Sequence, residues 1–315
     1  GPVPYTPSAM SDKMKDFVID FSLGGTAGAV SKTITAPIER VKLVIQTQDA
    51  NPKIISGEVP RYTGIGNCFS RIMAEQGFGA FWRGNGVNII RYFPTQAFNL
   101  AFKDTIKSWF PKYHPEKEFW KFFGIQLASG GLAGAAALTI VYPLDYARTR
   151  LASDVGTGKR QFNGLADCLK KTTQGPGGFF SLYNGFGPSV AGIIAYRGAQ
   201  FGLNDTINEF NPYKGQTGLV PIMSKFVVAQ IAVTASGLVA YPFDTVRRRL
   251  QMESEKPMAD RMYKGTMDCG MKVLKTEGFG GMYKGALANI FRGVGASMVL
   301  VLYGEITAAI KRGKE

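Results

Sequence analysis

The chain has 315 residues, with 37 lysines and arginines against 23 acids, a formal charge of +14 and a mean hydropathy of −0.02. That surplus of bases suits an anionic partner, but no zinc finger or other nucleic-acid module is present, and many bases lie beside or inside apolar stretches. There is no CxxC pair, no GxxxxGKS/T loop, no HExxH and no nucleophile elbow, so the expectation is no enzyme, no metal, no cofactor and no nucleic acid.

In chain order, Gly1-Pro2 resembles the scar of a protease cleavage and Met10 reads as a start, so residues 1–9 are set aside as partly foreign. A first helix follows, with Gly24, Gly25 and Gly28 spaced for close helix packing in lipid. Its apolar part ends at Pro37-Ile38-Glu39-Arg40-Val41-Lys42. Beyond a polar loop, Tyr62-Thr63-Gly64 opens an amphipathic piece in which Ile65, Phe69 and Ile72 recur at helical spacing, which suits a helix lying along a membrane surface. Trp82-Arg83-Gly84 then starts a second long helix, an aromatic fit for a water–lipid boundary.

The same order recurs twice. Gly130, Gly131 and Gly134 precede Pro143-Leu144-Asp145-Tyr146-Ala147-Arg148, followed by Phe162-Asn163-Gly164 and Tyr183-Asn184-Gly185. Ala232, Ala235, Ser236 and Gly237 precede Pro242-Phe243-Asp244-Thr245-Val246-Arg247, followed by Tyr263-Lys264-Gly265 and Tyr283-Lys284-Gly285. Cys68, Cys168 and Cys269 each fall six residues after the aromatic of the surface piece, marking one place in each repeat rather than a disulfide framework. Phe122 to Leu144 runs 23 residues without a charge and Phe226 to Phe243 runs 18, close to the roughly 20 that a spanning helix needs. The fold class is therefore an all-α membrane protein, with six transmembrane helices in three pseudo-symmetric repeats and three short surface helices. The repeats occupy approximately 11–110, 111–213 and 214–315 of a single domain, 1–315.

Charges mark the interior. Seven residues after Gly84 stands Arg91, seven after Gly285 stands Arg292, and seven after Gly185 stands Gly192, with Arg197 five further on. Seven residues carry a helix about 10 Å into its span. Lys32 lies five residues before Pro37. A cation at the bilayer centre costs an estimated 2.5 kcal/mol or more, so these four are expected to line a shared wet cavity, where arginine suits phosphate. In each proline motif the acid and base are three apart, and with three such helices around an axis each acid reaches the base of the next, closing a ring of ion pairs.

These motifs resemble those of the mitochondrial carrier family from about residue 15 onward. Within it, Arg91-Tyr92-Phe93-Pro94-Thr95-Gln96-Ala97-Phe98-Asn99, Gly192-Ile193-Ile194-Ala195-Tyr196-Arg197 and Arg247-Arg248-Arg249 are similar to segments of the group that exchanges ADP for ATP. The resemblance implies a six-helix barrel in the mitochondrial inner membrane, or that of a related organelle, whose three surface helices lie on the matrix side. It implies electrogenic, magnesium-free exchange of cytosolic ADP for matrix ATP by alternating access at one central site. Lys32, Arg91 and Arg292 are then expected to hold phosphates, Gly192, Ile193 and Tyr196 to form an adenine pocket, and Asn99 and Arg197 to stand beside it. A matrix gate would pair Glu39 with Arg148, Asp145 with Arg247 and Asp244 with Lys42. Gln46 and Gln251 would brace it, while Ala152 takes the bracing place in repeat two. A cytoplasmic gate would retain Asp104, Lys107 and Asp205. Its erosion elsewhere predicts a weak closure on that side and a resting state open to the cytosol. Cardiolipin is the expected lipid partner, on backbone N–H groups at Gly64, Gly84, Gly164, Gly185, Gly265 and Gly285, with a functional monomer among inner-membrane lipid.

Leu250-Gln251-Met252 stands where the group has three methionines, Ala240 where the pocket often has serine, and Tyr196 is followed by Gln200 and Asn204 rather than further tyrosines. A broader purine nucleotide exchanger, or a nucleotide-regulated proton leak as a secondary activity, therefore stays open.

Overall fold

The computed structural model describes residues 7–111, 113–114, 117–158, 160–209 and 219–312, and the regular secondary structure among these is helical, joined by short loops. Repeat one holds α1 (Pro7–Thr47), a one-turn α2 (Pro52–Ile55), the surface helix α3 (Ile65–Gln76) and α4 (Asn85–Ser108). Repeat two holds α5 (Phe119–Ala152), α6 (Leu165–Gln174) and α7 (Phe186–Glu209). Repeat three holds α8 (Leu219–Met252), α9 (Thr266–Met282) and α10 (Ala286–Arg312). The six long helices close into a ring: α4 packs on α5, α7 on α8 and α10 back on α1, with α1 also on α4 and α5 on α7. The first, third and fifth members of that ring, α1, α5 and α8, touch one another as well.

α5 and α8 contain stretches long and apolar enough to cross a membrane, Phe119–Ala152 and Phe226–Met252. α10 shows the matching outer face: Leu287, Phe291, Val294 and Met298 recur at helical spacing and are all exposed, while Arg292 lies on another face. An apolar exterior around a charged interior is the pattern that lipid selects.

Small residues set the helix spacing. A Cβ on Gly25 or Gly28 would collide with the rings of Phe93 and Tyr92, and one on Gly131 or Gly134 would reach 3.0 Å from Ile194 and Ile193. α1 thus lies against α4, and α5 against α7, at backbone range.

Each of α1, α5 and α8 continues through its proline and on for roughly two and a half turns of helix. Proline lacks the N–H that would satisfy the carbonyl four residues earlier. That carbonyl finds a donor elsewhere: Trp82 Nε1 donates to Thr33 O at 2.8 Å, and Tyr183 Oη to Thr139 O at 2.9 Å. In repeats one and two the aromatic before the turn glycine, Trp82 or Tyr183, therefore supplies a missing backbone partner as well as an interfacial ring. The glycine that follows it has φ of +82°, +84° and +83° at Gly84, Gly185 and Gly285, a left-handed turn that glycine makes without strain. It also lies against the next repeat, since a Cβ on Gly185 would stand 2.7 Å from Arg247 O and one on Gly285 3.0 Å from Lys42 O.

Candidate functional site

Three acid–base contacts close the end of the ring where the prolines lie, each joining neighbouring repeats. Lys42 Nζ is 2.8 Å from Asp244 Oδ2, Arg148 pairs with Glu39, and Arg247 pairs with Asp145. Gln46 Nε2 donates to Asp244 at 3.2 Å, and Gln251 Nε2 to Tyr142 Oη at 3.1 Å and Asp145 at 3.3 Å. Ala152 provides no such group, and there Asn88 Nδ2 donates to Glu39 Oε2 at 3.1 Å. Asn88 was not singled out from sequence, although a signal exists: four residues after each turn glycine the chain has Asn88, Ser189 and Asn289. Ser189 bonds to Tyr142, and Asn289 Oδ1 accepts from Arg292 at 3.2 Å.

The three consecutive arginines go separate ways, because successive helical residues point about 100° apart. Arg247 takes Asp145. Arg248 bridges two acids, Asp145 and Asp244, at 3.3 Å each. Arg249 turns outward to Glu277 and Asp49.

Above this closed floor lies a cavity of about 450 Å³, within the range of small-molecule sites. Its lining brings together Arg91, Asn99, Gly192, Ile193, Tyr196 and Arg197, and adds Thr95, Gln200 and Ala240. Asp244 and Arg247 of the floor also line it. Arg91 NH1 lies 3.5 Å from Asp145 Oδ1, so one arginine touches both cavity and floor. Lys32 and Arg292 stand outside that lining, toward α1 and α10. The Lys32 ammonium sits 5.0 Å from the centre of the Tyr92 ring and feels the charges of Arg148, Arg91 and Arg292. Arg292 is held by Asn289. Arg91 and Arg197 line the cavity, and Lys32 lies close enough to feel both Arg91 and Arg292, a concentration of cations that suits a multiply charged anion.

At the other end, Lys107 is exposed beside a second cavity with Phe110, Tyr113 and Gln126. The side chains of Asp104 and Asp205 fall outside the described residues. Among the helix-start glycines, Gly64, Gly164 and Gly265 have open space where a Cβ would be, and α3, α6 and α9 carry no side-chain cap. Their first N–H groups are thus open to a ligand. Below, Cys68, Cys168 and Cys269 are buried and unpaired with one another, and burial pushes each thiol up to about 12.

The family model for mitochondrial carrier proteins matches residues 13–114, 119–214 and 219–314. The chain belongs to the mitochondrial carrier family. It is 57% identical over 309 residues to the ADP,ATP carrier protein of Parachlorella kessleri, covering 96% of this chain and 89% of that one. It is 52% identical over 293 residues to ADP/ATP translocase 4 of Mus musculus, covering 92% and 89%. It is 50% identical over 304 residues to ADP/ATP translocase 3 of Bos taurus, covering 96% and 100%. As in other carriers, then, the chemistry to explain is passage of a solute rather than its conversion.

Proposed function

We propose that this carrier exchanges ADP for ATP across the mitochondrial inner membrane, electrogenically and by alternating access at its central cavity. The observation that carries the reading is the surplus of deep cations over a floor sealed by inter-repeat pairs, in a chain 50–57% identical to ADP/ATP carriers. Lys32, Arg91 and Arg292 take the phosphates. Gly192, Ile193 and Tyr196 take the adenine, flanked by Asn99 and Arg197. The floor pairs are the matrix gate, which is closed here with the cavity turned to the cytosol, and Asp104, Lys107 and Asp205 belong to the weaker opposite gate. Arg91 couples the two jobs: a phosphate that draws its guanidinium off Asp145 removes one of the cations holding that acid, and so loosens the gate below.

The chain works as one domain and as a monomer, since one chain supplies the whole cavity. Cardiolipin binds at the open N–H groups of Gly64, Gly164 and Gly265 together with the helix starts at Gly84, Gly185 and Gly285, a backbone anion site of the ordinary kind.

Uptake into cardiolipin-containing liposomes tests this, comparing ADP, ATP, GDP and GTP with and without internal ADP. ADP and ATP uptake that depends on internal ADP is the expected result. Equal guanine uptake would replace strict adenine choice with a broader purine exchange, and uptake indifferent to internal nucleotide would sink the exchange mechanism.

A further inference from the structure

Beneath the acid–base ring, each of α1, α5 and α8 ends in a short tail that docks on a neighbouring repeat. The tail after α1 is Gln48–Ala50, and Ala50, fully buried, packs with Val246, Leu250, Tyr263 and Cys269 of repeat three. Residues 153–155 after α5 reach repeat one, where Val155 packs with Val44, Ile54, Cys68 and Phe81. Residues 253–255 after α8 reach repeat two, where Ser254 bonds to Tyr146. The direction is cyclic: one onto three, two onto one, three onto two.

A buried arginine of the receiving repeat grips each tail. Arg40 donates to the carbonyls of Ala152 and Asp154. Arg150 donates to Met252 O at 2.7 Å and pairs with Glu255 at 2.8 Å. Arg249 pairs with Asp49 at 3.3 Å. These three side chains are 1%, 2% and 0% exposed, and none of them faces the cavity. The grips differ in kind. Asp49 is held through its carboxylate, by charge-assisted bonds from Arg249 and from Lys284 at 2.6 Å, with Arg61 of its own repeat beside it.

We propose that the three arginine-gripped tails form a second inter-repeat latch below the matrix gate, which releases each time that gate opens, with Asp49 its charge-controlled member. The reason is rigidity: Lys42 and Asp49 are separated by little more than one helical turn and a short 3₁₀ turn, so α1 cannot leave Asp244 while its tail stays seated in repeat three. This rests on the exchange reading, because a carrier that never opens there needs no latch.

Cys269 reports on the first tail, since it shares a cluster with Ala50, whereas Cys68 lies under the tail of repeat two. Maleimide labelling of the full chain in liposomes, resolved by peptide, reads both thiols separately. Asp49→Asn should speed labelling of Cys269 about tenfold, the lower end of what a hydrogen bond to a charged group is worth, and leave Cys68 unchanged, while Asp49→Glu, which keeps the charge facing Arg249 and Lys284, should restore slow labelling. In the unaltered protein, added ADP should also speed Cys269. Equal Cys269 rates with and without Asp49→Asn would overturn the grip. Protection of Cys269 while ADP exchange runs would overturn its release and make the tails a fixed pivot. Absence of any ADP exchange would count against the exchange reading itself, while the Asp49→Asn comparison, made without substrate, still decides the grip.

Discussion

Asp145 and Glu39 hold equivalent places in two repeats, yet their surroundings differ sharply. Asp145 meets Arg247, Arg248 and Arg91 and accepts from Gln251. Its base, Arg247, also lies 5.4 Å from the centre of the Tyr142 ring. Lys42 has the same arrangement, 5.1 Å from the centre of the Tyr241 ring. At the third pair both supports are gone, since Ala36 replaces the tyrosine and Ala152 the glutamine. A void of about 10 Å³ lies there, lined by Ala36, Glu39, Arg148, Ala152 and Asn88, room for about one water. Three-fold symmetry therefore fixes where the pairs form, but not how strongly each is held, and the seam between repeats one and two is the weaker.

Asp145→Asn should break the comparison most severely. It takes a shared carboxylate from three guanidinium groups, of which Arg248 keeps Asp244, and removal of one partner from a buried ionic cluster costs about 3–5 kcal/mol. Thermal unfolding in detergent, followed by a dye that reacts with the three buried thiols, should show the largest drop of any variant here, together with loss of nucleotide exchange. A midpoint within experimental scatter of the parent would mean that Asp145 is not the hub described.

The turn glycines sharpen the contrast through the backbone. A Cβ at Gly185 meets Arg247 O at 2.7 Å, whereas one at Gly84 meets Arg148 O at 3.1 Å. Both alanine variants carry the left-handed strain of about 1–2 kcal/mol. Overpacking adds about another 1–3 kcal/mol, and it should fall harder on Gly185→Ala. If Gly84→Ala unfolds at the lower temperature, the tighter seam has been assigned to the wrong side. Glu39→Gln comes next: it removes the charge beside Arg148 but leaves an amide that can still bond, at a cost of about 1–3 kcal/mol. It should destabilise less than Asp145→Asn and retain measurable exchange.

How much of this could be read beforehand depends on whether a feature repeats at fixed spacing. The motif contacts do, which is why Glu39 with Arg148, Asp145 with Arg247 and Lys42 with Asp244 could be expected before any coordinates. The small-residue stripes against Phe93, Tyr92, Ile193 and Ile194 follow likewise from glycine spacing. The arginine grips do not repeat at one spacing, since Arg40 is three residues past its proline while Arg150 and Arg249 are seven past theirs. Repeat one has Val44 at the place that Arg150 and Arg249 hold in the others, and Arg40 reaches its tail from another position on the helix. The placing of Lys32 and Arg292 outside the cavity lining was equally hidden, as it depends on Tyr92 and Asn289 turning toward them. Asp104 and Asp205 add nothing to the comparison, their side chains lying outside the described residues.

The finest test bears on Asn88, whose part is compensation. It is 2% exposed, and its amide donates to the gate acid that has neither tyrosine nor glutamine beside it. A polar side chain so buried is worth keeping only if its bond replaces what Ala36 and Ala152 omit, since a buried unpaired amide carries a penalty. Asn88→Ala should then cost about 1 kcal/mol, the ordinary net worth of one hydrogen bond. In the Glu39→Gln background the same change should cost less, because the acceptor has lost its charge. Thermal midpoints of the two single variants and the double variant measure that coupling directly. Strict additivity would mean that Asn88 packs beside Glu39 without supporting it, and the weak seam would then stand with no substitute at all.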